Sequence, residues 1–318
     1  MSSHYISFLI PAYKGTHLHE AIESILNQTF SNFELIIVND CSPDDIDSIV
    51  SDFNDDRIQY YKNEKNIGSK NLVKQWNKCL NFAQGEWTVM ASDDDVYHPE
   101  YLSEMIRLTK EYPNNDVFHC NIIQIDDKGE IIEICSQVSE YESCLQNAYY
   151  RLTYSRTEAL QDYFFRTYKL KAIGGFIDYP LATFADIATI LSIANRNGII
   201  CSSRYLFKWR NNGKNISSNP FTCKTRIGAC EQIFEWVMKQ FEMDNDYDDD
   251  VSNWIKERFI RDIRRCTVSA EQLMIQQMPQ EHLNELLKLN PWPFKLLDRQ
   301  YAVRNKYIRI KNKLLHIK

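Results

Sequence analysis

A chain of 318 residues, 44% hydrophobic and 25% charged, is long enough to bury one large core or two smaller ones. It begins without a basic segment followed by a long apolar stretch, and it has no run of about 20 apolar residues. We therefore predict neither a secretory signal nor a membrane-spanning helix. Nine scattered cysteines with no C-x-x-C pair argue against a disulfide framework or a zinc site, and favour reduced, buried thiols in a cytosol.

The net charge of −6 is unevenly distributed along the chain. Residues 288–318 hold nine Lys/Arg and one acidic residue, a net charge of +8, which leaves −14 for the rest. Apolar residues in this basic tail follow a helical spacing at Val303, Tyr307, Ile310, Leu314 and Ile317. A basic amphipathic helix can lie on an anionic membrane surface or pack on its own domain with its charges outward, and the sequence leaves both interpretations open.

The first 125 residues alternate between short apolar runs and segments in which apolar residues have a helical spacing. The apolar runs predict strands at YISFLIPAY, FELIIVND, RIQYYKN, EWTVMAS and DVFHCNIIQID. Helices are predicted at HLHEAIESILNQTF, after the DCSPDD loop, over residues 70–83, and at HPEYLSEMIRLTKEY. Nearly all-apolar strands that alternate with helices indicate an α/β sheet covered by helices on both faces.

Polar loops follow the first, second and fourth predicted strands, and ligands of such sheets bind beyond the carboxyl ends of the strands. The third of these loops opens with Asp93, Asp94 and Asp95, whose carboxylates repel one another. Helix capping would need only one of them. Mg²⁺ or Mn²⁺ prefers such oxygen ligands and fills its other positions with water and substrate phosphates. The sequence therefore predicts a divalent-cation site that also binds phosphates.

These elements, taken together, resemble the N-terminal half of family 2 glycosyltransferases, which are inverting enzymes with the GT-A fold. The resemblance covers about residues 5–220 and consists of motifs in a fixed order. They are Pro-x-Tyr after the first strand, Gln-Thr-Phe ending a helix, Asn-Asp ending the second strand, Asn-x-Gly, and an Asp-rich turn before His-Pro. The implied fold class is α/β, a Rossmann-like GT-A domain with a mostly parallel sheet at 1–220, followed by a helical extension at 221–318.

The resemblance also implies roles for individual residues around a nucleotide. The implied nucleotide-binding residues are Pro11, Ala12, Tyr13, Asp40, Asn66, Gly68 and Asp93. Tyr13 would lie against the base, and Asp40 would accept a hydrogen bond from it, as the family's aspartate does from the N3–H of uracil. The Asn-x-Gly segment would close over the nucleotide.

The implied metal ligands are Asp94 and Asp95. Asp94 matches the aspartate that holds the metal in the family, whereas Asp95 either binds the metal or orients the site from behind. Ser92 stands where the commoner Asp-x-Asp pattern has its first acidic residue. We therefore expect a site for Mn²⁺ or Mg²⁺ that depends on the aspartates after Ser92.

The segment TFADIATILSIA has an apolar helical face headed by Asp186. From the residues alone this aspartate is a helix cap or a functional acid. The resemblance implies that it is the catalytic base, although Ala185 replaces the glutamate that usually precedes it. Such a carboxylate can take the proton of an acceptor hydroxyl as it attacks the anomeric carbon. Gly174 and Gly175 either form a plain tight turn or let an acceptor sugar lie against the main chain.

The segment YLFKWRNNGKNISSN is similar to the Arg-x-His-x-x-Asn-x-Ser ending of the family's catalytic domain. Arg210, Asn215 and Ser217 match this pattern, and Asn212 replaces its histidine. The resemblance implies that Arg210 or Lys208 contacts the diphosphate of the donor.

The function that these observations predict is a metal-dependent inverting glycosyltransferase. It would move a sugar from a nucleotide-sugar, with UDP as the expected nucleotide, to a glycan or lipid-linked acceptor in surface polysaccharide synthesis. No nucleic-acid partner is expected. The expected location is the cytoplasm, with contact to the inner membrane face through the basic tail as an implication of the resemblance.

Two other functions remain to be weighed against this one. A sugar-nucleotide pyrophosphorylase would need a Gly-rich loop with Arg or Lys after the first strand, and IPAYKGTHLHEA does not supply it. A catalytically silent nucleotide-sugar-binding or partner-binding subunit is kept open by Ser92, Ala185 and Asn212. Turnover distinguishes this second alternative from an enzyme.

Overall fold

The computed structural model describes residues 5–211, 222–243, 257–263, 265–266, 274 and 281. Within these ranges, strands and helices alternate along the chain. The strands are β1 (Ile6–Ala12), β2 (Phe33–Asn39), β3 (Ile58–Lys62), β4 (Trp87–Met90), β5 (Val96–Tyr97), β6 (Val117–Ile125), β7 (Ile131–Ile134), β8 (Tyr141–Glu142), β9 (Phe164–Arg166) and β10 (Ile199–Arg210). The helices are α1 (Leu18–Leu26), α2 (Ile46–Ser51), α3 (Leu72–Phe82), α4 (Tyr101–Glu111), α5 (Cys144–Leu152), α6 (Thr167–Ala172), α7 (Ala185–Ala194) and α8 (Cys223–Met243).

All these strands belong to one mixed sheet with the order β3-β2-β1-β4-β9-β6-β10-β5. Its first half is parallel, as predicted, because β1 pairs with β2 and β4, and β2 pairs with β3. In its second half β10 is parallel to β6, but β9 lies between β4 and β6 and is antiparallel to both. The short strands β5, β7 and β8 are also antiparallel to their neighbours. The carboxyl ends of β1, β2 and β4 therefore share one edge of the sheet.

Helices cover both faces of the sheet, as the continuous apolar strands indicated. Successive residues of β1 point to opposite faces, so Phe8 and Ile10 join one core cluster and Leu9 joins another. The first cluster contains buried residues of α1 and α4, and the second contains buried residues of α3 and α7. All residues of β2 are buried, which explains why its sequence shows no polar alternation.

The described part of the C-terminal extension contributes to one of the two core clusters. Ile233 and Val237 of α8, together with Phe259 and Ile263, belong to the core cluster on the α3 and α7 face. None of the described helices is long and apolar enough to cross a bilayer. The basic tail predicted to be amphipathic lies outside the described residues, as do Asn212 and the two matching residues Asn215 and Ser217. The division into domains at residue 220 stays a prediction.

Candidate active site

The loops after β1, β2 and β4 meet at the carboxyl edge of the sheet, which confirms the predicted convergence. The carboxylate of Asp93 accepts hydrogen bonds from the backbone amides of Tyr13 and Lys14, at 2.8 and 2.7 Å. The hydroxyl of Ser42 donates to the carbonyl oxygen of Tyr13 at 2.5 Å. Tyr13 is 41% exposed, so part of this residue is open to solvent next to these loops.

Asp40 anchors the Asn-x-Gly segment predicted to close over a nucleotide. Its buried carboxylate accepts hydrogen bonds from the side-chain amide of Asn63 at 2.6 Å and from the backbone amides of Ile67 and Gly68 at 2.8 and 2.6 Å. A Cβ at Gly68 would lie 2.9 Å from Asp40 Oδ2, so a larger residue would require the carboxylate or the segment to shift. Asn66 shapes the same segment by accepting a hydrogen bond from the amide of Ser69 at 2.7 Å.

The remaining nucleotide-binding predictions fall on the same edge of the sheet. Pro11 is half-buried and Ala12 fully buried near the end of β1. The carbonyl oxygen of Ala12 accepts a hydrogen bond from the amide of Asp40 at 2.9 Å, so the ends of β1 and β2 are held together. Their roles toward a ligand stay predictions.

The aspartates after β4 occupy different environments. Asp93 is half-buried, and burial raises its pKa to about 6, with the charge of Asp94 adding to the effect and the amide of Lys14 opposing it. Burial raises the pKa of Asp95 to about 8, and the charge of Asp94 raises it further against the hydrogen bond from Ser92. The cluster therefore resists carrying three negative charges, which a cation would relieve.

Asp95 is directed into the protein. It is only 2% exposed, its Oδ2 accepts a hydrogen bond from the hydroxyl of Ser92, and its Oδ1 accepts one from the backbone amide of Arg210 at 2.8 Å. Both oxygens are thus engaged, which supports the alternative in which Asp95 orients the site and does not bind the metal. Ser92 serves this arrangement, because its hydroxyl also accepts a hydrogen bond from the amide of Asp95 at 3.1 Å.

The structure corrects the role predicted for Arg210. This residue is 1% exposed, and all three guanidinium nitrogens already donate to protein oxygens. Nε donates to the carbonyl of Asp94 at 2.8 Å, Nη1 to the carbonyl of Asp126 at 2.9 Å, and Nη2 to the carboxylate of Glu20 at 2.6 Å. Arg210 therefore holds the aspartate loop against α1 and is not available to a diphosphate. Lys208 is exposed on β10, and its contact with a diphosphate stays a prediction.

The donor set fits a cation that shares its ligands with a substrate. Asp94 is half-buried, and no described residue donates a hydrogen bond to its carboxylate. Both backbone hydrogen bonds to the Asp93 carboxylate end on Oδ2, so Oδ1 is the oxygen that could bind a cation. The described ranges contain no group of three or more His, Cys, Asp or Glu side chains arranged to hold a metal. Asp94 and Asp93 would therefore hold Mg²⁺ or Mn²⁺ only together with water and phosphate oxygens.

Gly174 and Gly175 form the turn that ends α6. Both have positive φ angles, +89° and +94°, and their amides donate to the carbonyls of Lys171 and Leu170. A Cβ at Gly175 would lie 2.3 Å from the side-chain oxygen of Asn77. This geometry supports the tight-turn interpretation, and their contact with an acceptor sugar stays a prediction.

Asp186 lies in the first turn of α7, where its side chain is 22% exposed. Its Oδ2 accepts a hydrogen bond from Nη2 of the buried Arg151. Among the described residues, no backbone amide of α7 donates to this carboxylate, so it is not a helix cap. The residue before the helix, Phe184, has a left-handed backbone with φ of 66° and makes no side-chain cap.

A chain of hydrogen bonds connects the start of α3 to the segment that precedes Asp186. The amide of Asn71 donates to the carbonyl of Ile67, next to Gly68, and its side-chain amide donates to Asp178 at 2.6 Å. The amide of Ile177 donates to the hydroxyl of Thr189 in α7 at 2.9 Å. Hydrogen bonds thus link the start of α3 to the 177–178 segment, and that segment to α7.

Two residues of this site were missed in the sequence. Asn63 follows β3 directly, so the same signal that identified Asp40, a polar residue at the end of a strand, could have found it. Arg151 lies in α5, 35 residues from Asp186, and no motif or spacing in YYRLTY marks it.

Comparisons with known proteins agree with this architecture. Relatives include a Rickettsia typhi protein named as a glycosyltransferase, 34% identical over 126 residues, which are 39% of this chain and 38% of the relative. Another is Escherichia coli WcaA, a glycosyl transferase named for colanic acid biosynthesis, 33% identical over 119 residues, 36% of this chain and 42% of the relative. The matches thus span about two fifths of the length of these relatives.

Solved structures share the fold over most of the chain. Residues 1–349 of S. aureus TarS, in complex with UDP-GlcNAc, superimpose with a TM-score of 0.61 at 19% identity, covering 89% of this chain and 84% of that one. The mannosyltransferase PcManGT of Pyrobaculum calidifontis, in complex with GDP-Man and Mn²⁺, gives a TM-score of 0.55 at 15% identity, with 98% and 88% covered. At these identities the likeness concerns the fold alone. The family model described as Glycosyl transferase family 2 matches residues 7–173, just over half of the chain, and the chain belongs to that family.

Proposed function

We propose that the protein is a metal-dependent inverting glycosyltransferase that uses a nucleotide-sugar donor, with UDP as the nucleotide. The observation that carries the proposal is the junction of the loops after β1, β2 and β4. There Asp93 binds two backbone amides of the first loop, and Asp94 presents a carboxylate with no hydrogen-bond donor among the described residues. A cation and a diphosphate would complete this acidic junction.

The donor would lie across the carboxyl edge of the sheet. Its base would stack on the ring of the exposed Tyr13, beside the segment anchored by Asp40. Asp40 already accepts three hydrogen bonds from protein groups, so its carboxylate would hold this segment in place. The same carboxylate would accept one more hydrogen bond, from the nucleobase. The choice of UDP rests on the family resemblance and on the TarS complexes with UDP and UDP-GlcNAc, whereas PcManGT binds GDP-Man.

Charge on the leaving diphosphate would be neutralised by the cation at Asp94 when it is bound. Lys208, exposed on β10 next to β5, is the described basic residue that we assign to the same diphosphate. Arg210 supports the loop from behind through its hydrogen bond to the carbonyl of Asp94.

Asp186 would act as the general base. Its partly exposed carboxylate would accept the proton of an acceptor hydroxyl while that oxygen attacks the anomeric carbon. A base on one side of the sugar and a leaving group on the other require a single displacement, so the anomeric configuration inverts. The acceptor is proposed to be a glycan or lipid-linked hydroxyl of a surface polysaccharide, in keeping with the name of the colanic acid relative.

Ligand binding and turnover test the proposal together. Thermal shifts are measured with UDP-, GDP- and dTDP-sugars, each with and without Mn²⁺ or Mg²⁺, and sugar transfer is then followed with the donor that binds. We expect a cation-dependent shift with a UDP-sugar. Equal indifference to all donors contradicts the proposal.

Substitution of the base separates an enzyme from a silent binding subunit. Asp186→Asn should retain donor binding and lose transfer by about 10²–10⁴-fold, the usual contribution of a general base. The control is Asp56→Asn, because Asp56 is an exposed residue before β3. This substitution should change neither donor binding nor sugar transfer. A wild-type protein that binds donor but never transfers sugar identifies the silent alternative.

Membrane contact through the basic tail also stays a proposal, because residues 288–318 lie outside the described residues. Sedimentation with anionic and with neutral vesicles, comparing the full chain with one ending at residue 287, tests it. Binding to anionic vesicles that is unaffected by the truncation contradicts it.

A further inference from the structure

A buried arginine lies behind the candidate base. Arg151, in the last turn of α5, has a side chain that is 7% exposed, against 22% for Asp186. Its Nη2 donates to Oδ2 of Asp186, and its Nη1 lies 3.5 Å from the carboxylate of Glu158. No described residue donates to Oδ1 of Asp186. The arginine therefore holds Oδ2 of the carboxylate from the protein side. It leaves Oδ1 without a hydrogen bond from a described residue.

Arg151 is itself held by a network of buried charges. Glu158, 1% exposed, accepts hydrogen bonds from the hydroxyl of Tyr163 and from Nε of Arg156. Both terminal nitrogens of Arg156 in turn donate to the carboxylate of Glu142, at 2.5 Å each. The guanidinium of Arg151 thus lies among buried, hydrogen-bonded groups, and its Nη1 is paired with Glu158 by charge and makes no hydrogen bond to a described residue.

The charges in this network stabilise one another's ionised forms. Burial opposes the ionisation of Glu158, but the positive charges of Arg151, His119 and Arg156 outweigh it and lower its pKa. Burial likewise disfavours the charge of Arg151, whereas Asp186, Tyr163 and Glu158 raise its pKa above the usual value. Buried ion pairs contribute little net stability, because desolvation offsets the attraction. Stability alone is therefore a poor reason for an arginine at this position.

The backbone segment that precedes Asp186 is strained. Leu181, Ala182 and Phe184 all have positive φ angles, between 56° and 66°, which is costly for residues with a side chain. The surrounding structure must hold this segment in place, and the ion pair with Arg151 is the described contact that reaches the carboxylate itself.

We propose that Arg151 is a positioning residue that sets the orientation of the Asp186 carboxylate toward the acceptor hydroxyl. The inference rests on the proposed function, since it assigns a role toward the base of that reaction. Arg151 acts through Asp186 and has no contact with the reacting atoms. Its loss therefore affects the rate of transfer and leaves donor binding intact.

The test compares substitutions of two arginines that both pair with carboxylates. Arg151→Met should lower kcat about 100-fold, as for a misplaced general base, with donor KM and UDP affinity within about twofold. Arg151→Lys keeps a positive charge and should recover about tenfold of this loss. The control is Arg166→Met. Arg166 lies on β9, pairs with Asp116 at 2.6 Å and does not contact Asp186. It should retain wild-type kcat.

A double substitution tests whether Arg151 acts through Asp186. In an Asp186→Asn background, Arg151→Lys should lower the residual transfer by less than twofold, because residues that act as a unit are not additive. An unchanged kcat for Arg151→Met or Arg151→Lys, in an enzyme that Asp186→Asn inactivates, overturns the inference and leaves the proposed function standing. Parallel losses of kcat and melting temperature in Arg151→Lys and Arg166→Met also overturn it. A wild-type protein that transfers no sugar refutes both.

Discussion

The proposed donor side and the proposed base side of this site are built in different ways. The donor side consists of the loops after β1, β2 and β4, where carboxylates such as Asp93 and Asp40 accept hydrogen bonds from backbone amides. The base side consists of the start of α7, where Asp186 depends on one side chain from another helix. Amides at strand ends are positioned by the sheet, whereas a paired side chain depends on the packing of everything behind it. We therefore expect the base side to be more sensitive to distant substitutions.

The largest expected effect concerns the donor side. Asp94→Ala should lower transfer about 10³-fold, because it removes the carboxylate that would share a cation with the diphosphate. Its melting temperature should not change, since no described residue hydrogen-bonds to the carboxylate. Transfer rates during a Mn²⁺ titration measure the effect.

Asp95→Ala is the comparison for that substitution. It leaves the half-buried Ser92 hydroxyl and the buried amide of Arg210 without their acceptor, so it should lower stability by about 1–3 kcal/mol. Equal activity of Asp94→Ala and the wild type at every Mn²⁺ concentration would remove Asp94 from the site.

The next effect concerns the turn after α6, where Gly175 lies against Asn77 of α3. Gly175→Ala places a Cβ 2.3 Å from the side-chain oxygen of Asn77 at a φ of +94°, so the free energy of unfolding should fall by about 2–3 kcal/mol. Gly174 has a similar φ, but a Cβ at this position would meet open space. Gly174→Ala should therefore lower the free energy of unfolding by about 1 kcal/mol. Urea denaturation measures both, and equal losses would show that backbone strain alone matters.

The smallest effect concerns the segment over the nucleotide. In Gly68→Ala the new Cβ lies 2.9 Å from Oδ2 of Asp40, and the amide of residue 68 must move away from that oxygen. Donor affinity should fall about tenfold, equivalent to one lost hydrogen bond, with kcat unchanged. Gly228→Ala in α8 meets no atom within 4 Å and is the control. An unchanged affinity of Gly68→Ala for UDP would show that the hydrogen bond between Asp40 and residue 68 does not contribute to nucleotide binding.

Sequence patterns predicted the first half of the fold well. Strands such as β2 and β4 are short, fully buried and mainly apolar runs bounded by polar loops, and their short length favours a strand over a buried helix. The antiparallel strands β5 and β9 escaped prediction, because strands of two or three residues have no measurable periodicity. Their presence makes the sheet mixed.

Local signals located residues that the structure brings together, and their roles toward a ligand stay predictions. Asp40, Gly68 and Asp93 follow strands or lie in recognisable motifs, and the structure brings their loops together. Arg210 matched a family motif, yet its guanidinium turned inward to the carbonyls around the aspartate loop and to Glu20. A motif specifies which residue stands at a position but not whether its side chain finds partners inside the protein.

The amino-acid sequence by itself determined the alternation of strands and helices, the family, and the concentration of carboxylates at the carboxyl edge of the sheet. These properties depend on local hydrophobic pattern and on residues close together in the chain. Only the tertiary structure decided that Asp95 and Arg210 face inward, that glycine is required at residue 175, and that Arg151 pairs with Asp186. Those outcomes depend on hydrogen bonds between residues far apart in the chain, which form only when packing brings the two partners together.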